Sequence, residues 1–379
     1  MPIRWRDAMA SALYGPGGFF VAGTGPADHF RTSVHASTAF ATAVLRLLEQ
    51  VDAALGHPDR LDVVDVGAGR GELLDALLAS VKVMVGIPTA SARPAPEGPS
   101  SIAARPSLAD RLRFTAVEYA PRPENLPEEI NWTAEIPTKI TGLLIATEWL
   151  DNVPLDVAVH AGDGWRYVLV DPDTGAESVG EPVSLDDHDW LTKWWPSPTS
   201  PPSMDGAPSP GVTWADATSE TPHRNRQRAE IGRTRDEAWA DAVKKISRGL
   251  AVAVDYGHLR DARPVDGTLT GYRGGRQVPP VPDGSSDVTA HVAMDSVASA
   301  GAVVARCAYS LVVQREALRA LGADGGRPPL SLAGTDPVGY VRALAAASAV
   351  AELTDPGGLG GHLWLRQPVG IPLGSTVAR

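Results

Sequence analysis

The run 61–74, LDVVDVGAGRGELL, joins an acid, Asp65, to three closely spaced glycines, Gly67, Gly69 and Gly71. Glycines let a backbone approach a ligand that a Cβ would block. The leucines that follow fall at helical spacing, so the turn runs into a helix N-terminus whose free N–H groups can meet polar ligand atoms. A dinucleotide fingerprint would need a glycine where Glu72 stands, and a phosphate loop would need Gly-Lys-Ser or Gly-Lys-Thr. A structural turn would use the same glycines, so other residues must decide. Glu118 closes the apolar run 113–118. An acid there can accept from both hydroxyls of a ribose, each bond contributing about 1.5–3 kcal/mol, or it can be an ordinary surface residue. Glu148 and Asp151 follow the apolar run 140–147, where such sheets bind ligands. His258 and His291 could be bases or structural hydrogen-bonders, and Tyr256 could wall a ligand or simply pack.

These residues need a scaffold, and the hydrophobic pattern predicts one. Runs 61–64, 113–118, 140–147 and 249–254 read as buried strands. Helices are expected over 5–13, 35–54, 236–246, 315–321 and 340–353, with another from about 292 to 301. Thr32 and Ser33 stand where a loop gives way to the second of these. Residues 157–169 alternate around Gly162-Asp163-Gly164, which predicts a hairpin. The run 303–313 reads as strand, and 362–366 as a final strand. Three stretches read as irregular: 86–107, rich in Pro, Ala and Ser; 171–222, polar and Pro-rich; and 264–286.

Bulk composition narrows the classes. The chain has 379 residues, of which 43% are hydrophobic, which is ample for a core. A formal net charge of −11 argues against a general nucleic-acid or anionic-membrane surface. The lone cysteine, Cys307, permits no internal disulfide and fits a reducing compartment. No apolar run reaches the roughly 18 residues of a spanning helix, and the first residues carry no secretory apolar core. A cytoplasmic protein is expected, and its excess of arginine over lysine and its many alanines suggest a GC-rich bacterial genome. No metal-binding spacing is present.

Taken in order, several segments resemble the MidA-like S-adenosyl-L-methionine (SAM) methyltransferases, relatives of the mitochondrial complex I assembly-factor methyltransferase. The resemblance rests on Leu13-Tyr14-Gly15, Phe30-Arg31-Thr32-Ser33, Asp65 to Gly71, and Val117-Glu118-Tyr119-Ala120-Pro121. It continues through Glu148 to Pro154, Asp255-Tyr256-Gly257, Gly267-Thr268-Leu269 and Asp287 to Val292. The chain departs from the family at Val34-His35-Ala36, at Thr147 in place of Asn, and at Asp65, where Glu is usual.

The resemblance implies a Rossmann-like class I methyltransferase of α/β class. It would have a mostly parallel seven-stranded sheet, an N-terminal helical lid (1–58) and loop-rich insertions in the main domain (59–379) near 86–107, 155–235, 264–286 and 316–358. It implies SAM as cofactor, held by Asp65, Gly67, Gly69, Gly71, Glu118, Thr32, Ser33 and Glu148. Asp151, Glu148, Tyr256 and His258 become the catalytic candidates. Family members imply a protein arginine as acceptor. A guanidinium is a poor nucleophile, so carboxylates must grip it and localise its charge. A methyltransferase acting on a small metabolite, and a non-catalytic SAM-binding assembly factor, remain alternatives.

Overall fold

The computed structural model describes residues 1–22, 33, 38–86, 106–195, 227–323 and 325–372. Its centre is a sheet of seven strands: β1 (Leu61–Val66), β2 (Leu112–Val117), β3 (Ile130–Thr133), β4 (Ile140–Thr147), β5 (Ile246–Asp255), β6 (Ser310–Val313) and β7 (Leu363–Val369). They lie in the order β6-β7-β5-β4-β1-β2-β3. The sheet is mixed, because β7 runs antiparallel to both β5 and β6 while the pairings among β1 to β5 are parallel.

Alternation along the strands explains the two helical layers. Val63, Leu143, Ile145, Leu250 and Val252 point to one face, where α2 (Thr38–Ala54) and α3 (Glu72–Gly86) cover them; α1 is Trp5–Tyr14. Val64, Leu144, Ala146, Ala251 and Ala253 point to the other face. There α4 (Arg233–Lys244) and α5 (Met294–Ala305) contribute Trp239, Val243, Val297 and Ala298. Side chains alternate across a strand, so a run apolar on both parities must be buried on both faces. Truncating Leu144 to Ala should cost about 2–5 kcal/mol.

A second sheet joins the chain's start to its middle. Ile3–Arg4 pairs with Trp165–Val170, which pairs with Asp156–His160 and Glu177–Pro182; Arg228–Ile231 completes it. Trp5, Met9 and Leu13 of α1 pack on Val157, Val159, Val168 and Val170 of this sheet. The hairpin around 162–164 forms as expected, with Ala158 opposite Tyr167.

Several expectations need correction. Within 171–222, residues Glu177–Pro182 form a strand and Leu185–Trp194 a helix, because Trp190, Leu191 and Trp195 bury against the second sheet. Residues 196–226 lie outside the described residues, as do 87–105. The expected loop 264–286 holds two strands, Thr270–Arg273 and Arg276–Val278, in a small sheet with Asp287–Thr289. The run 303–313 is the end of α5, a break, and then β6; Val303 is solvent-facing helix rather than strand. β3 was hidden in a four-residue edge strand, INWT, too short to show a period. The helix expected over 340–353 forms as part of α6 (Pro337–Leu353), and a short helix, Leu330–Thr335, pairs with it. Among the described residues no helix is long and apolar enough to cross a membrane.

Candidate functional site

The carboxyl ends of β1, β2, β4 and β5 border one cavity of about 850 Å³. Its floor is the glycine turn. Gly67 and Gly69 take φ of +71° and +58°, the left-handed region, where a Cβ is disfavoured. The N–H of Gly67 donates to Val117 O at 3.0 Å, which ties the turn to β2. Gly71 differs from its neighbours: it does not line the cavity, and a Cβ there would lie 2.8 Å from Leu126 Cδ1, so its role is packing.

Glu118 lines the cavity beside this turn. Its Oε2 accepts from Gly69 N at 3.0 Å and its Oε1 from Tyr119 N at 2.7 Å and Ala120 N at 3.3 Å. A carboxylate has about four acceptor sites, so capacity remains for a ligand hydroxyl. Burial raises its pKa against the pull of these N–H groups. Asp65 is buried in the same wall, and burial, then the charges of Glu72 and Glu118, hold its pKa well above the usual range. A cationic ligand would relieve that cost. Tyr14, Phe20 and Tyr119 form an aromatic roof, with Tyr14 5.6 Å from each of the other two ring centroids.

The opposite wall is acidic. Glu148 follows β4 with φ of +52°, a conformation uncommon outside glycine. Its Oε1 accepts from Ser33 N at 3.1 Å, and burial raises its pKa to about 8. Asp151 sits one turn further on and is buried. Its Oδ2 accepts from Tyr256 Oη and, at 2.8 Å, from Thr289 Oγ1, while its buried Oδ1 has no hydrogen-bond partner. Burial raises the Asp151 pKa, opposed by those two donors and by Arg235. Asp287, also lining the cavity, accepts from Asn152 Nδ2 at 2.6 Å and is likewise raised by burial.

Asp255, the last residue of β5, holds this wall in shape. Its Oδ2 accepts from Leu150 N at 3.0 Å and Asp151 N at 3.2 Å. From beneath, the buried Arg235 guanidinium donates to Val153 O, Ala290 O, His291 O and Asp151 O. Two segments distant in sequence are thereby clamped to one position.

The structure brings together Asp65, Gly67, Gly69, Glu118, Glu148, Asp151 and Tyr256 around the cavity. Ser33 reaches it through the N–H donated to Glu148. Thr32 lies outside the described residues. His258 does not line the cavity: its Nδ1 faces Arg263 Nη1 at 2.7 Å, its ring meets Trp195, and burial lowers its pKa to about 3. Sequence reading gave no role to Asp287, Thr289, Arg235 or His362. The first two lay inside a recognised motif, which was the available signal; Arg235 and His362 carried none.

These residues fit SAM. The glycine turn leaves room for backbone approach, Glu118 offers free acceptor capacity, and Asp65 is a buried carboxylate short of positive charge. Comparisons with known proteins point the same way. Residues 41–311 match the model of a family described as "Putative S-adenosyl-L-methionine-dependent methyltransferase". A structure from Burkholderia thailandensis, described as a superfamily member and "likely methyl transferase" bound to S-adenosyl-homocysteine, superposes with a TM-score of 0.69 at 20% identity, covering 99% of this chain and 90% of that one. A native structure of an uncharacterised protein of that superfamily from the same organism gives 0.68 at 20% identity, covering 100% and 90%. A search of curated proteins gives no match.

Proposed function

Because this chain belongs to the S-adenosyl-L-methionine-dependent methyltransferase family whose model it matches, we propose that it transfers the SAM methyl group to a guanidinium nitrogen of a protein arginine. The cofactor supplies an electrophilic methyl carbon on a sulfonium. In this reading the sheet is that of a class I methyltransferase, with the reversed β7 as its one antiparallel member.

The chain's own residues divide the work. Gly67 and Gly69 admit the cofactor's backbone-facing atoms, Glu118 accepts from its ribose, and the buried Asp65 gains from the cofactor's positive charge, which would favour its ionised form. Tyr14 and Phe20, from the N-terminal segment, act as a lid that excludes water. Asp151 and Glu148 grip the acceptor guanidinium and draw its positive charge away from the attacking nitrogen. Tyr256 and Thr289 fix the Asp151 carboxyl group by donating to Oδ2, which leaves the buried Oδ1 without a protein partner.

One observation carries the choice of acceptor: Glu148, Asp151 and Asp287 are three carboxyl groups on one wall, Asp151 and Asp287 buried and Glu148 mostly so. Among the described residues, Lys245 is the one lysine or arginine lining the cavity, with the Arg235 guanidinium buried behind Asp151. Burial holds these acids towards their protonated forms, and a guanidinium would favour their ionisation and gain charge-assisted bonds, which a neutral metabolite would not. The test is incubation with methyl-labelled SAM and cell lysate, then separation of protein from small molecules. Label recovered in protein as methylarginine supports the reading; label confined to small molecules sinks the acceptor assignment.

A further inference from the structure

We infer that His362 is the base that takes the proton released when the acceptor nitrogen is methylated. The inference rests on the methyltransferase reading above and adds a residue to it. His362 lies immediately before β7, opposite the end of β5, and is one of the residues lining the cavity. It is 8% exposed. Its backbone is fixed on both sides: N–H to Leu359 O at 3.1 Å, and O accepting from Gln314 N at 2.7 Å. Its Nδ1 is buried without a hydrogen-bond partner and faces Glu148 Oε1 across 4.0 Å. A buried imidazole with a free ring nitrogen beside a carboxyl group, in a reaction cavity, is built to change protonation.

The chemistry needs such a group. The acceptor nitrogen forms a bond to the methyl carbon while the carbon–sulfur bond breaks and sulfur keeps the electron pair. A guanidinium enters with one positive charge and leaves, methylated, with one, so one nitrogen-bound proton must go to the protein. His362 Nε2 takes it, and the imidazolium so formed turns Nδ1–H towards Glu148 Oε1. The titratable groups around the ring are Glu148 after β4, Tyr256 after β5 with its ring 5.5 Å away, and His291 before Val292. Ser33 and Gln314 stand behind them without charge. Burial, and secondarily His291, lowers the His362 pKa to about 4, which keeps the ring neutral and able to accept. Ionisation of Glu148, favoured once two cations occupy the cavity, raises the ring's basicity when it is needed.

The test is His362→Gln, measured by calorimetry with S-adenosylhomocysteine and by single-turnover transfer to the protein fraction of lysate across pH. S-adenosylhomocysteine affinity is expected within about twofold of wild type, and transfer is expected to fall roughly 100-fold or more. The acid limb of the wild-type pH profile should vanish. In His362→Gly, added imidazole should restore transfer in proportion to its concentration, which a purely structural histidine would not permit. A His362→Gln protein that keeps the acid limb, or loses cofactor affinity in step with activity, overturns the inference, as does a folded His362→Gly protein that imidazole leaves inactive. The methylated product is identified separately. Loss of the acid limb with a product other than methylarginine keeps His362 as base and rejects the acceptor assignment alone.

Discussion

Asp255 Oδ2 accepts the backbone N–H of Asp151 at 3.2 Å, so one acid shapes the turn and frees the other. Asp151 could have been the cap of the turn that follows β4. The cap is instead supplied from the end of the neighbouring strand, β5, and the Asp151 carboxylate turns to Tyr256 and Thr289.

The two acids should therefore respond differently to substitution. Asp151→Asn is expected to bind S-adenosylhomocysteine within a few-fold of wild type and to lose at least about 100-fold in transfer, the scale set by removing a preorganised charge. Asp255→Ala is expected to lose about 1–3 kcal/mol of stability, because two buried N–H groups are left unpaired. Urea unfolding and a transfer assay separate the cases. An Asp151→Asn protein that methylates normally would reject its proposed role.

Gly69→Ala tests the cofactor floor. A Cβ at Gly69 meets nothing closer than Glu72 Oε2 at 3.4 Å, so the protein itself has room for it. The φ of +58° should cost about 1–2 kcal/mol of stability. Gly69→Val adds branches on the cavity side and is expected to abolish S-adenosylhomocysteine binding by calorimetry. Unchanged affinity in a folded Val variant would move the ligand elsewhere.

Glu118→Ala should weaken S-adenosylhomocysteine binding by about 1.5–3 kcal/mol if its remaining acceptor capacity serves the ribose. Part of any loss would come from the freed Gly69 N–H, which Glu118 now holds. Glu118→Gln keeps one acceptor oxygen and isolates the contribution of charge. Equal affinities for wild type, Gln and Ala would exclude a ribose contact.

Glu148 gives a pH prediction. Its folded pKa of about 8 exceeds the ordinary 4.5, with burial as the main cause. Between those values the folded state holds a proton that the unfolded chain has lost. Stability attributable to Glu148 therefore falls as pH rises from 4.5 to 8, by at most about 1.4 kcal/mol per pH unit. His362 has the opposite sign: with its pKa lowered from 6.5 to about 4, stability is lost as pH falls through that window. Urea midpoints at acid, neutral and mildly alkaline pH should show Glu148→Gln gaining on wild type as pH rises. Parallel curves would mean that Glu148 is ionised throughout.

The sequence by itself determined the local units. The glycines at 67, 69 and 71, the acids at 65, 118, 148 and 151, and the doubly apolar runs of β1, β4 and β5 are each encoded in a short stretch of chain. Backbone sterics and burial act at that range, so strand, turn and helix can be read there. Tertiary structure alone decided which polar groups meet. Arg235 clamps Asp151 and Ala290 carbonyls from 84 and 55 residues away, and His362 reaches Glu148 only because β7 runs back beside β5. It also separated Gly69, which faces the cavity, from Gly71, which packs on Leu126, and drew His258 away to Arg263 and Trp195. Hydrogen bonds and charge pairs between distant segments leave no period in the chain, so the site's chemistry is written in the fold rather than in any one motif.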